Sequence, residues 1–407
     1  REPSMIRKTG PGPGPGLATI GGMGVRTRAA ALLCCVAVPA ALLAGCGGGG
    51  GTVREDPQRM LNRHAAAVLK HDEAAFLADV APAQRAAQRT VYRNLARLPL
   101  ASWSYRLVRR TGTTAKVQLS YRLTGYDSAP VTSAPALTLA PDGGRWDIAG
   151  GSPAELWDQG TLRVVRGTHS LVLGVGASQA SLKAYAADVD RAVTTVSGVW
   201  GDGWARRVVV EVPGSLRDMA ALLDAAPTAY QGIAAVTTAE LRGSSASVPA
   251  DRVVVNPEAF GELSVLGRRV VLTHETTHVA TRAATNSGTP LWLSEGFADW
   301  VGYRGTGRTA RQVAPELARD VAAGRTPQAL PANADFGTTA TGLAQAYEGG
   351  WLACRLVEAD WGAAKLVALY RAVGTGGGTD AAMRSTLGIG LDDFTARWRA
   401  YVQRELA

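Results

Sequence analysis

The stretch VVLTHETTHVATRAATNSGTPLWLSEGFADWVG, residues 270–302, decides how the rest of the chain is read. Two histidines stand four apart, with a glutamate beside the first. The surrounding run LSVLGRRVVLTHETTHVATRA (263–283) has apolar residues at helical spacing, so His274 and His278 project from one helix face about one turn apart. That spacing suits two imidazole nitrogens on a single ion at roughly 2.0–2.1 Å. Glu275 is rotated about 100° from His274. It is too far round to be an easy co-ligand, but it is placed to reach water held at the ion, as a general base must.

A catalytic zinc needs a third protein ligand and one open position. After the loop AATNSGT, Pro290 opens a second helix, a residue well tolerated in a first helical turn. Glu295 lies one turn in, and an antiparallel helix pair can bring it alongside the histidine face. Asp299, four residues on, shares that face and can accept the free N–H of a ligating imidazole, with His274 the expected partner. The chain has only five histidines, so this pattern is improbable by chance.

HETTH followed by WLSEGFADWVG resembles the gluzincin zinc metallopeptidases, in particular the bacterial peptidase MA-like group, over about residues 160–407. The resemblance implies a zinc-dependent peptide hydrolase with His274, His278 and Glu295 as metal ligands and Glu275 as the catalytic acid/base. Gluzincins commonly stabilise the oxyanion with a downstream tyrosine or histidine, and Tyr347 in LAQAYEGGWLACRLVE is the candidate. Tyr347, Trp351 and Cys354 also form a plain core stripe at i, i+4 and i+7, so both readings stand. Tyr303 is a weaker candidate. Sixteen residues separate His278 from Glu295, slightly fewer than in thermolysin or the M1 aminopeptidases. No GxMEN-type segment is present, so aminopeptidase specificity is not implied. The alternative is a non-catalytic metal-binding surface lipoprotein acting as a binding module. A structural zinc, however, is usually closed by four protein ligands, often cysteines.

At 407 residues, 46% hydrophobic and 19% charged, the chain is globular and long enough for two domains. The formal charge of +9 falls to +5 without residues 1–46, and no basic cluster with interleaved aromatics is present, so nucleic acid is not an expected partner. Those first residues read as an address. Met23 is the expected start, with residues 1–22 as an upstream extension. MGVRTR is followed by the 16-residue apolar run AAALLCCVAVPAALLA (29–44), too short to span a membrane and interrupted by Pro39. It ends in LAGC, and this resembles a bacterial lipoprotein signal, which implies lipidation of Cys46 and anchoring outside the cytoplasm. An ordinary secretory signal, giving a secreted protein, is the runner-up. An acylated Cys46 leaves Cys354 without a disulfide partner.

Residues 47–54 read as flexible linker. From 55 to 98 helical spacing dominates, with His64 and His71 expected on the surface of the first helix. The runs WSYRLVRR, AKVQLSYRLTGY and ALTLAPDGGRWDIAG follow as strands, the last turning at Pro-Asp-Gly-Gly. Helices followed by a curled antiparallel sheet resemble the NTF2-like fold over 55–153, most simply a spacer or interaction module. Beyond a boundary near 150–160, strands alternate with helices: LRVVRGTHSLVLGV, where His169 reads as structural, then QASLKAYAADVDRAVTTVSGVW, RRVVVEVP, SLRDMAALLD, GIAAVTTAEL and DRVVVNPEAF. After 262 helices stand alone. The expected architecture is therefore α+β: an NTF2-like domain, then a peptidase domain of a small mixed sheet and a mostly helical C-terminal half. GIAAVTT (232–238) is expected at a sheet edge where an extended peptide substrate adds as a further strand.

Overall fold

A computed structural model describes residues 55–152, 155–238, 250–337 and 340–407. The signal segment, Cys46 and the glycine linker lie outside the described residues. No helix among the described residues is long and apolar enough to cross a membrane.

Three helices come first: α1 (Pro57–Leu69), α2 (Glu73–Ala78) and α3 (Arg85–Leu95). His71 breaks the first two apart in a left-handed conformation (φ 54°), and the Asp72 side chain caps α2 by accepting the Ala75 N–H. His64 is not a surface residue. It is buried on α1, its Nδ1 lies 3.1 Å from the Phe76 carbonyl oxygen, and its ring stacks on Phe76. α1 turns this side towards the sheet, and the imidazole fills it as a flat, hydrogen-bonded ring. His71 is exposed, but it sits beyond the end of α1.

The helices pack on a five-stranded antiparallel sheet of β1 (Leu100–Thr111), β2 (Thr114–Leu123), β3 (Val131–Ser133), β4 (Ala136–Asp142) and β5 (Arg145–Gly151). Its main path runs β1-β2-β4-β5, with β3 pairing on β2. The expected Pro-Asp-Gly-Gly turn joins β4 to β5, and both of its glycines take positive φ.

A second five-stranded sheet holds β6 (Leu162–Arg166), β7 (Ser170–Val175), β8 (Val208–Val212), β9 (Ala235–Thr237) and β10 (Val253–Val255) in the order β6-β7-β8-β10-β9. The run LRVVRGTHSLVLGV is a hairpin rather than one strand. Asp190, on the crossover helix α4 (Gln179–Trp200), accepts the backbone N–H groups of Thr168 and His169 and pins the turn. The β7–α4–β8 crossover makes that pair parallel, as does β8–β10, whereas the two edge strands run antiparallel.

Burial on both faces explains the near-continuous valines of this sheet. Val172, Val208 and Val210 face α4, while Leu171, Leu173 and Val209 share a core with Trp103, Tyr121 and Leu123 of the first sheet. Leu156 and Trp157, from the segment expected as a boundary, belong to that shared core. Its polar centre is Arg252, which grips Asp127 through two hydrogen bonds of 2.7 and 2.9 Å with Glu211 nearby.

The remainder is helical. After α5 (Leu216–Leu222) and α6 (Pro257–Gly261), α7 (Val265–Thr281) packs beside α4, and α8 (Leu291–Tyr303) lies against α7. α9 (Ala310–Val313), α10 (Pro315–Ala322), α11 (Leu343–Trp361), α12 (Ala363–Gly374), α13 (Thr379–Leu387) and α14 (Leu391–Leu406) complete a C-terminal bundle. Its core includes Phe297, Trp351, Leu352, Tyr370 and Trp398. The chain is thus a mixed α+β structure with two sheets and a helical C-terminal half.

Candidate metal centre

α7 starts at Ser264, whose hydroxyl accepts the Gly267 N–H, and it carries His274 and Glu275, both buried, and His278, half-buried. α8 starts at Pro290 and presents Glu295 and Asp299 one turn apart. Within α7, Nε2 of His274 and Nε2 of His278 lie 3.0 Å apart. Glu295 Oε2 stands 3.2 Å from the first nitrogen and 3.3 Å from the second. Tetrahedral bonds of about 2.0–2.1 Å place neighbouring donor atoms about 3.3 Å apart. The triangle fits a zinc-sized ion, and these three residues form a group able to hold one.

Asp299 Oδ1 lies 2.8 Å from Nδ1 of His274. Accepting that N–H leaves the Nε2 lone pair turned to the triangle. Burial opposes a charge on His274, but Asp299, Glu295 and Glu275 outweigh it and raise the imidazole pKa well above its usual value. The carboxylate surplus that favours a proton there equally favours a divalent cation. Burial also acts to raise the Glu295 carboxyl, yet the charge of His278 and the hydrogen bonds of both histidines hold it well below the usual carboxylate range. On Asp299 burial prevails, and its pKa is raised.

Glu275 is buried, and its Oε2 accepts a 2.6 Å hydrogen bond from the Thr237 hydroxyl on β9. β9 is the edge of the second sheet among the described residues, in the segment expected at a sheet edge. It forms one wall of a cleft of about 560 Å³, whose lining includes the triangle, Glu275 and Tyr347.

Tyr347 reaches the cleft because α8 and α11 cross almost in contact. A Cβ on Gly296 would overlap the Gly350 carbonyl, and one on Gly350 would lie 2.7 Å from the Trp292 carbonyl oxygen. The stripe of Tyr347, Trp351 and Cys354 therefore divides: Cys354 is core, Trp351 belongs to the core and also borders the cleft, and Tyr347 lines the cleft edge-on to Phe336. Burial, then the nearby Glu295, Asp299 and Glu275 carboxylates, raise its phenol well above the ordinary value, so it stays a donor. Tyr303 also lines the cleft, against Trp351. His169 lies at the β6–β7 turn, with Nδ1 3.2 Å from the Arg206 carbonyl oxygen and no part in the cleft. Cys354 is a buried free thiol.

Sequence reasoning missed Thr237, Gly296 and Arg282. Thr237 meets Glu275 only through the sheet, so local pattern carries no sign of it. Arg282 was detectable, because it stands four residues past His278 and on the same face. It lines the cleft, with Nε 3.0 Å from Asp251 Oδ2.

No protein-family model matches the chain, and no curated protein matches it. Among solved structures it is similar to a mutant of a two-domain M1 zinc metallopeptidase bound to L-arginine, with a TM-score of 0.34 and 14% identity. That likeness covers 75% of this chain and 69% of the other.

Proposed function

We propose that the chain is a zinc-dependent peptide hydrolase of the gluzincin type, held outside the cytoplasmic membrane by lipidation at Cys46. The carrying observation is the triangle of His274, His278 and Glu295, with a buried glutamate and an open cleft beside it. Two nitrogens and one carboxylate oxygen are a zinc-like donor set, and three protein ligands leave a position free, as a catalytic site requires. A structural site would be closed by a fourth side chain, and none other of the His/Cys/Asp/Glu type joins the group among the described residues.

When bound, zinc supplies Lewis acidity and makes water a usable nucleophile near neutral pH. His274 and His278 present their Nε2 lone pairs, and Asp299 holds the first imidazole in the orientation required. Glu275 takes a proton from the attacking water and delivers it to the departing amine nitrogen. Thr237 holds that carboxylate against the wall along which an extended peptide adds beside β9. Tyr347 donates its phenolic hydrogen to the carbonyl oxygen as negative charge gathers there. The N-terminal helices and first sheet fit an NTF2-like unit (55–153) serving as spacer between anchor and cleft, with residues 160–407 as the peptidase unit.

The test uses the soluble chain beginning at Gly47. Metal analysis is expected to find one zinc per chain, and fluorogenic peptide cleavage is expected to stop on chelation and return with zinc. Glu275→Gln is expected to keep the zinc and lose on the order of 10²–10⁴ in rate. Equal cleavage by wild type and Glu275→Gln refutes the proton-transfer assignment.

A further inference from the structure

We infer that Arg282 is the seat for a substrate carboxylate, so that the cleft selects peptides carrying one close to the scissile bond. The inference rests on the hydrolase reading above. Among the described residues Arg282 is the only lysine or arginine lining the cleft, which also holds the carboxyl groups of Glu275, Glu295, Asp299 and Glu348 and the imidazoles of His274 and His278. Beside Glu275 and Asp299 a substrate carboxylate meets like charge, and beside Arg282 it meets a guanidinium.

The side chain is held for this task. Its Nε donates to Asp251 Oδ2 at 3.0 Å, and the pair is largely buried, with the arginine side chain 12% and the aspartate 3% exposed. A guanidinium has five N–H donors, and this bond uses one. Among the described residues no hydrogen bond is made by either Nη, and neither is a sealed, unpartnered atom. The terminal fork therefore remains for a second carboxylate, in the planar two-point geometry that arginine favours. Asp251 fixes the rotamer in advance, so little side-chain freedom is lost when the substrate arrives.

Position sets the register. Arg282 begins a short turn immediately after α7, four residues beyond His278. Four helical residues advance about 6 Å, close to two residues of an extended strand. The carboxylate recognised thus lies within about two residues of the bond cut. It comes either from an aspartate or glutamate side chain or from the peptide's own C-terminus.

The experiment compares matched peptides with the zinc-loaded enzyme. One pair has Glu or Gln within two residues of a cleaved bond, and another has a free or amidated C-terminus near it. Wild type is expected to favour the carboxylate member of one pair by roughly 10- to 100-fold in kcat/KM. The pair that shows the preference tells side chain from terminus. In Arg282→Gln that ratio is expected to fall towards one. Because this substitution strands Asp251, the double variant Asp251→Asn/Arg282→Gln, which removes both buried charges, is measured alongside and is expected to show the same loss. Calorimetry with Glu275→Gln reads the same preference as binding, free of turnover. No preference in wild type, or a preference that survives in both Arg282 variants, overturns the inference. Carboxylate-dependent binding that requires Arg282, without cleavage of any peptide, overturns the hydrolase reading and leaves the seat in place.

Discussion

Gly296→Ala puts the close crossing of α8 and α11 to the test, because two effects of opposite sign compete there. Alanine favours a helix over glycine by about 1 kcal/mol, and on that ground alone the substitution stabilises. Against this, the new Cβ would overlap the carbonyl carbon and oxygen of Gly350, which are backbone atoms with no rotamer to escape into. Restoring van der Waals contact requires the helices to part by about 1 Å, and overpacking of this kind costs about 1–3 kcal/mol, with rigid backbone on both sides favouring the upper end. The clash wins, for a net loss of about 2 kcal/mol. Gly198, within α4, is the internal control. A Cβ there meets nothing within 4 Å, so Gly198→Ala is expected to gain about 0.5–1 kcal/mol. Urea unfolding of both variants and the parent measures the contrast. The proposed zinc ligands lie on α7 and α8, whereas Tyr347 lies on α11, so Gly296→Ala is also expected to retain zinc while cleaving peptides more slowly. A Gly296→Ala protein as stable as Gly198→Ala refutes the crossing as described.

Two more outcomes follow from single contacts. Asp299→Ala removes the carboxylate 2.8 Å from Nδ1 of His274, and zinc affinity is expected to fall about 10- to 100-fold in a chelator competition. Unchanged affinity would show that the ring is oriented by packing alone. Burial lowers the pKa of His64 from 6.5 to about 4, so the folded state holds it neutral. For a depressed histidine the linked stability is present above the unfolded pKa and is lost as pH falls from 6.5 towards 4, a loss of about 3 kcal/mol. In His64→Gln that portion of the acid sensitivity is expected to disappear, and parallel stability–pH curves for the two proteins would exclude it.

The parts readable from sequence were those with local periodicity. Two histidines four apart in an apolar helix, a glutamate one turn into the next helix and an aspartate four beyond it are patterns of one or two helices. The hairpin at Pro141–Gly144 was likewise local chemistry. His64 and the split of LRVVRGTHSLVLGV into two strands were misread. In each a distant partner decides: Phe76 and the sheet behind α1 in one, Asp190 on α4 in the other.

From residues 270–302 alone follow the donor types, their helical phase and the glutamate beside them, because 3.6 residues per turn places side chains without any knowledge of the fold. Tertiary structure decided that Nε2, Nε2 and Oε2 converge within 3.3 Å, that Thr237 holds Glu275, and that two glycines let α11 carry Tyr347 to the cleft. Those facts depend on how closely separate elements approach. Approach is set by the packing of residues far apart in the chain, which no local period encodes.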